Sequence, residues 1–250
     1  MALAQLSFFS HTLRRGVGAN VVLPQENPPL CGKTRKTLYL LHGLSDDHTM
    51  WSRRTSIERY AEKYGIFVVM PDGGRGWYTD ACHGEKFYTF MTEELPAVMR
   101  SFFAGMSERR EDNYIAGLSM GGFGAMKIAL HHPDRFAGAA SLSGALDVER
   151  LVRERQIAEP TYWNDIFGSA DAIPGSDHDV FLWAKKNAAA LDRIYLGCGY
   201  DDYLLDSTKK MDALLRECGV PHEVHYAPGA HNWVFWDAEI VRVLDFFFGK

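Results

Sequence analysis

The sequence predicts an α/β fold: a mostly parallel central sheet with helices on both faces. Three observations predict it. Short apolar runs alternate with amphipathic helical patterns along most of the 250 residues, the sign of strand–helix–strand units. Two runs, TLYLL at 37–41 and IFVVM at 66–70, are continuously apolar, as strands covered on both faces are. A serine flanked by glycines, Gly117-Leu118-Ser119-Met120-Gly121, falls between a strand pattern and a helix pattern.

Taken in order, residues 6–12 and 20–23 read as an antiparallel edge pair. A loop over 24–36 follows, marked by Pro28, Pro29 and Gly32, and leads into the strand 37–41. A helix is expected over 55–64, with Thr55 and Glu58 in capping-box spacing. Its apolar face is Ile57, Tyr60, Ala61 and Tyr64, and Gly65 stops it. The strand 66–70 ends at Pro71. Residues 87–103 read as a helix that Pro96 kinks or divides. Then come a strand at 114–116, a helix at 120–131 and a strand at 136–142. Later elements are a strand at 194–197, a helix at 204–218, a strand at 223–226 and a helix at 237–248. Residues 146–190 fit the alternation poorly. They are polar and contain Pro160 and Pro174. They read as a cap-like insertion over the sheet's C-terminal edge, where open α/β sheets bind ligands. The whole chain, 1–250, is expected to be one domain.

Composition narrows the function classes. Hydrophobic residues make up 46% and charged residues 24%, an ordinary globular balance that excludes a disordered chain. The net charge is −5 with 27 dispersed basic residues, so neither nucleic acid nor an anionic membrane is an expected partner. The four cysteines form no CxxC pair and are expected as free thiols. No apolar run reaches the roughly 18 residues of a membrane span. The N-terminus lacks the basic start and long apolar core of a secretion signal, so the expected compartment is the cytoplasm. Asp46-Asp47-His48 and His131-His132 lack zinc-ligand spacing. No metal or cofactor is expected. Association with further copies of the chain is left open.

The glycine-flanked serine carries the chemistry. A strand-to-helix elbow tight enough to project Ser119 has no room for side chains two residues to either side, hence Gly117 and Gly121. The amide of Met120 opens the helix and points toward developing negative charge. A serine needs a base and an orienting acid, here in the chain order serine, acid, histidine. After the strand at 194–197 come the adjacent Asp201 and Asp202. After the last strand comes His231. Asp202 is the preferred acid, with Tyr203 and Leu204 expected to cover it, and Asp201 remains the alternative. The loop after 37–41 reads His42-Gly43-Leu44. Gly43 permits close approach, the Leu44 amide is the second expected oxyanion donor, and His42 is expected to brace the loop. Trp77 and Trp233 are candidate substrate contacts, with core packing as the competing reading.

The blocks HGLSDD, MPDGGRGWYTD, GLSMGGFGAMK, SLSGALD, CGYDDYL and GAHNWVFW together resemble the tributyrin-esterase branch of the esterase D family, in order and over essentially the whole chain. The resemblance implies an α/β-hydrolase fold and hydrolysis of short-chain acyl esters. It places the nucleophile at Ser119, the acid at Asp202 and the base at His231, with 72–80 near the site. The same superfamily contains S-formylglutathione hydrolases, feruloyl esterases and mycolyltransferases. The expectation is therefore a serine carboxylesterase acting on a small-molecule ester. The alternatives are a formylglutathione-type thioesterase, or an esterase that removes acetyl or feruloyl groups from plant sugars.

Overall fold

A computed structural model describes residues 1–25 and 34–249. Pro28, Pro29, Gly32 and Cys31, within the expected loop, lie outside the described residues. In chain order the elements are β1 (Ala2–Ser10), β2 (Arg15–Leu23), β3 (Thr37–Leu41), α1 (Met50–Arg54), α2 (Ile57–Glu62), β4 (Phe67–Pro71), α3 (Phe87–Thr89), a π-helical segment (Phe90–Glu94) and α4 (Leu95–Phe102). Next come β5 (Asn113–Leu118), α5 (Met120–His131), β6 (Gly138–Leu142), α6 (Val148–Arg155), α7 (Pro160–Phe167) and α8 (Val180–Asn187). The chain closes with β7 (Arg193–Gly199), α9 (Leu205–Glu217), β8 (Glu223–Ala227) and α10 (Trp233–Phe248).

The strands form one sheet in the order β1-β2-β4-β3-β5-β6-β7-β8. From β4 to β8 every pairing is parallel; β1–β2 and β2–β4 are antiparallel. Side chains alternate across the sheet, so each strand feeds two cores. Leu38 and Leu40 face Trp51, Ile57, Ile240 and Leu244 of α1, α2 and α10. Tyr39 and Leu41 face the opposite layer, with Met126 of α5, Met99 of α4 and Met211 of α9. α5 lies deepest: every residue from Met120 to Leu130 is buried.

Several sequence expectations are corrected. Strand β2 starts at Arg15, five residues early, because Gly16 and Gly18 hid the strand pattern. The antiparallel edge pair itself forms: β1 lies at the edge of the sheet, and β2 joins it to β4. No capping box forms at Thr55. That residue closes α1, its hydroxyl donating to the Trp51 carbonyl at 2.6 Å and accepting from the Ile57 amide at 3.1 Å. Pro96 marks an inner boundary of the segment 87–102, where α4 starts at Leu95 with Pro96 in its first turn. It follows a π-helical segment, and the Thr92 carbonyl, which its missing N–H would have served, accepts from Arg135 at 2.9 Å. Pro160 likewise starts α7 instead of breaking the segment.

The segment 146–190, called the cap segment below, carries three eight-residue helices. Asp147 and Asp179 cap α6 and α8 by accepting backbone N–H groups. The cap is tied to the body through aromatic rings. Trp77, in the loop after β4, packs against Trp163 and Phe167 of α7 and Phe123 of α5 at 5.4–5.8 Å, and its Nε1 donates to the Tyr162 hydroxyl at 3.0 Å. No helix among the described residues is long and apolar enough to cross a membrane.

Candidate active site

Ser119 ends β5 and caps α5 with φ of 53° and ψ of −117°. A non-glycine residue at positive φ is strained, and the neighbouring backbone holds it there. Its amide donates to Leu142 at 2.9 Å, and its carbonyl accepts from Phe123 and Ala145, each at 3.1 Å. The flanking glycines are required by backbone contact. A Cβ on Gly117 would lie 2.3 Å from the Gly121 carbonyl oxygen, and one on Gly121 2.5 Å from that of Leu41.

The structure brings Ser119, His231 and Asp202 together across 112 residues of chain. His231 Nε2 lies 3.0 Å from Ser119 Oγ. Its Nδ1 lies 3.0 Å from each Asp202 carboxylate oxygen. With a carboxylate on Nδ1, that nitrogen carries the proton and donates, which leaves Nε2 free to accept from the serine hydroxyl. His231 is placed by α10, which begins one residue after Asn232. The Asn232 side chain accepts from the Val234 and Phe235 amides, so the helix starts four residues before the expected position. Trp236 of that helix meets the imidazole edge to face at 4.9 Å.

Asp202 has a fully buried carboxylate. Burial alone would raise its pKa. The hydrogen bond and charge of His231 outweigh that, helped by the Leu204 amide and the Ser143 hydroxyl, and the carboxyl is held below its ordinary range. Asp201 faces solvent, its amide bonded to the Gly229 carbonyl at 2.9 Å. Of the two residues expected to cover Asp202, Leu204 is buried but Tyr203 is 60% exposed. The Tyr203 ring lies instead against His231, 4.5 Å between centroids. Cys198, also at the end of β7, is no competing nucleophile: burial pushes its thiol up to about 12. Cys82 and Cys218 are free as well.

The loop after β3 is braced from several sides. Trp51 Nε1 donates to the Leu41 carbonyl at 3.0 Å and Tyr78 to the His42 carbonyl at 2.9 Å. His42 accepts from the Gly73 amide on Nε2 and bonds the Gly43 carbonyl through Nδ1, each at 2.8 Å. A Cβ on Gly43 would stand 3.6 Å from that of Ser119, so Leu44 begins beside Ser119. Met120 is the first residue of α5, and its amide therefore has no intrahelical acceptor.

The two tryptophans fall differently. Trp77 is 2% exposed within the aromatic cluster beneath the cap, away from the triad's ring contacts. Trp233 is half-buried and packs edge to face on Trp51 at 5.1 Å and on Trp236 at 5.4 Å, so it reaches the imidazole only through Trp236. Sequence reasoning missed Ser143 as a neighbour of the triad, and it put Tyr203 over Asp202 rather than against His231. Ser143 holds positive φ and accepts from Trp236 Nε1 at 3.0 Å. Its only sequence signal is its place in the SLSGALD block. No group of three or more His, Cys, Asp or Glu among the described residues is arranged to hold a metal ion.

Comparison with known proteins places this geometry. The model of the family described as Putative esterase matches residues 10–247. The chain belongs to that family. An acetyl esterase of Caldicellulosiruptor saccharolyticus is 28% identical over 98% of this chain and 97% of its own length. A solved structure of FphF, a fluorophosphonate-binding serine hydrolase of Staphylococcus aureus, is 31% identical with a TM-score of 0.90, covering 100% of this chain and 99% of that one. The S-formylglutathione hydrolase FrmB of the same organism is 31% identical with a TM-score of 0.87, covering 99% of this chain and 100% of that one. The esterase is thus a hydrolase acting on esters, with an α/β-hydrolase fold.

Proposed function

We propose that this esterase is a serine carboxylesterase for short-chain acyl esters, working through Ser119, His231 and Asp202. The observation that carries the proposal is the continuous chain of 3.0 Å contacts from Ser119 Oγ through the imidazole to Asp202. His231 takes the serine proton as Oγ attacks the acyl carbon. Asp202 stabilises the imidazolium that results. The amides of Leu44 and Met120 receive the oxyanion. The acyl–oxygen bond then breaks, its electron pair leaves with the alcohol oxygen, and His231 returns the proton there. Water repeats the cycle on the acyl-enzyme. The cap supports a preference for short acyl groups: its helices are eight residues long and partly charged, unlike a long apolar lid. The tributyrin-esterase type is the finer reading, in keeping with the motif blocks quoted above.

A thioesterase of the formylglutathione type is the second reading, favoured by whole-chain similarity to FrmB. Kinetics on p-nitrophenyl esters from acetyl to dodecanoyl, run beside acyl thioester, acetyl-sugar and feruloyl substrates, test both. The expected profile peaks between acetyl and hexanoyl without a jump in rate at the solubility limit. A preference for long chains or interfacial activation overturns the carboxylesterase reading, and thioester turnover far above the best oxygen ester favours the second.

A further inference from the structure

Arg155 stands in the last turn of α6. Its guanidinium lies over the Tyr203 ring, 5.8 Å from the centroid, and that ring lies against His231. Arg155 also borders two cavities. One, of about 60 Å³, it shares with Tyr203 and Leu204. The other, of about 250 Å³, it shares with Leu44, Arg75, Tyr162 and Trp163.

What distinguishes Arg155 is its missing counter-charge. Arg150 is paired with Glu154 at 2.7 Å, and Arg153 with Glu149 at 2.9 Å and Asp171 at 2.6 Å. Across the larger cavity Arg75 is paired with Glu159 at 3.1 Å. Nearby Asp147 is taken by Lys210 at 2.8 Å. Among the described residues Arg155 has no carboxylate within 4 Å; its partner is an aromatic face. A guanidinium on a ring gives up that contact at little cost for a planar anion that can accept two hydrogen bonds.

Position fixes which part of a substrate it meets. His231 Nε2 must face the leaving atom, because it delivers the proton there. Tyr203 packs on that imidazole and Arg155 on Tyr203, so the stack leads from the leaving-group side to Arg155, and the cavity that Arg155 shares with Leu44 opens from there. We propose that Arg155 selects acyl esters or thioesters whose leaving alcohol or thiol carries a carboxylate. The carboxylate takes no part in bond making; the acyl bond breaks as above, and the anion anchors the leaving half. This rests on the triad reading and adds the substrate class.

The test compares 4-acetoxybenzoate, whose leaving group is anionic, with its neutral methyl ester. The readout is the ratio of their kcat/KM values in the wild type, Arg155→Gln, Arg155→Lys and, as a control in the same helix, Arg150→Gln. Arg155→Gln is expected to lower the anionic-to-neutral ratio about threefold to fivefold, mainly through KM, the scale of one solvent-exposed charge pair. Arg155→Lys should recover part of the loss, and Arg150→Gln should keep the wild-type ratio. A ratio indifferent to Arg155→Gln, or one that falls equally in Arg150→Gln, overturns the proposal. Failure of the wild type on both esters, with Ser119 unlabelled by a fluorophosphonate, is a different result: it removes the triad reading and the proposal with it.

Discussion

Helix α5 holds two buried polar side chains in opposite electrical settings. At its N-terminus Ser119 joins a chain that ends in a buried carboxylate held in its charged form. Two turns on, Lys127 is 2% exposed and has no such partner in contact. It donates to the Thr79 hydroxyl, meets His178 Nδ1 at 3.1 Å and lies 5.0 Å from the Tyr88 ring centroid. Burial pushes Lys127 down to about 7, against the more distant pull of Asp177 and Asp80. Burial and the charge of Lys127 push His178 down to about 3. A buried acid in contact with a base keeps its charge available for chemistry. A buried lysine in contact with a half-buried histidine gives up charge and serves as a pin, here joining α5 to the cap segment before α8. The depth of burial is similar; the sign of the neighbour decides the use.

The sharpest way to break this comparison is at the serine. Ser119→Ala is expected to lower turnover by roughly four to six orders of magnitude with the fold intact. Circular dichroism and active-site labelling check it; a variant still active and still labelled elsewhere would move the nucleophile. Next is the acid. Asp202→Asn should cost up to about 10⁴-fold in kcat, since the amide favours the wrong imidazole tautomer. Asp201→Asn should cost no more than about tenfold, the scale of a lost hydrogen bond. The reverse ranking would exchange their roles.

At the other end of α5 the readout is stability. A lysine whose folded pKa lies below its unfolded value binds fewer protons folded than unfolded, so its contribution is present above about pH 10 and is lost as pH falls toward 7. Melting temperature should therefore rise from pH 7 to pH 9 in the wild type, on the order of 2 kcal/mol from this group. Lys127→Met should flatten that rise. Parallel curves for the two proteins would show that Lys127 is charged in the fold after all. The smallest expected effect is at the aromatic tie beneath the cap. Tyr162 accepts from Trp77 and donates to the Arg75 carbonyl at 2.9 Å. Tyr162→Phe should cost about 1 kcal/mol, and calorimetry should show a fall in melting temperature of about 2–4 °C. An unchanged value would mean that ring packing alone holds the cap.

Much of the site was legible because its constraints are local. The elbow needs glycine at fixed offsets, and the acid and base follow strand ends, so pattern and chain order point to Ser119, His231 and the pair Asp201–Asp202; the family block and the apolar residues after it favour Asp202. The sheet was legible for a similar reason: β3, β4 and β5 are buried on both faces and read as apolar runs. What was not legible depends on distant partners. Trp77 has the same letters whether it lines a pocket or anchors a cap, and only the rings of α7 decide. Lys127 inside α5 looks like a surface lysine until Thr79 and His178 arrive from two other segments. Nothing near Tyr203 announces that its ring faces His231 rather than covering Asp202. The short helix α1 also escaped, since five residues hold too few turns for a periodicity.

The backbone contact at Gly121 has a consequence for engineering. Any side chain there would collide with the carbonyl oxygens of Leu41 and His42, at 2.5 and 2.6 Å. The helix that Ser119 opens and the strand that leads into His42-Gly43-Leu44 are therefore set against each other without an intervening side chain, and none of the spacing is contributed by the cap segment. Reaction geometry and substrate choice are mechanically separable inheritances. Helices α6 to α8 can be exchanged or rebuilt for a new leaving group, provided the tie to Trp77 and Lys127 is kept, and the chemistry beneath them should not need retuning.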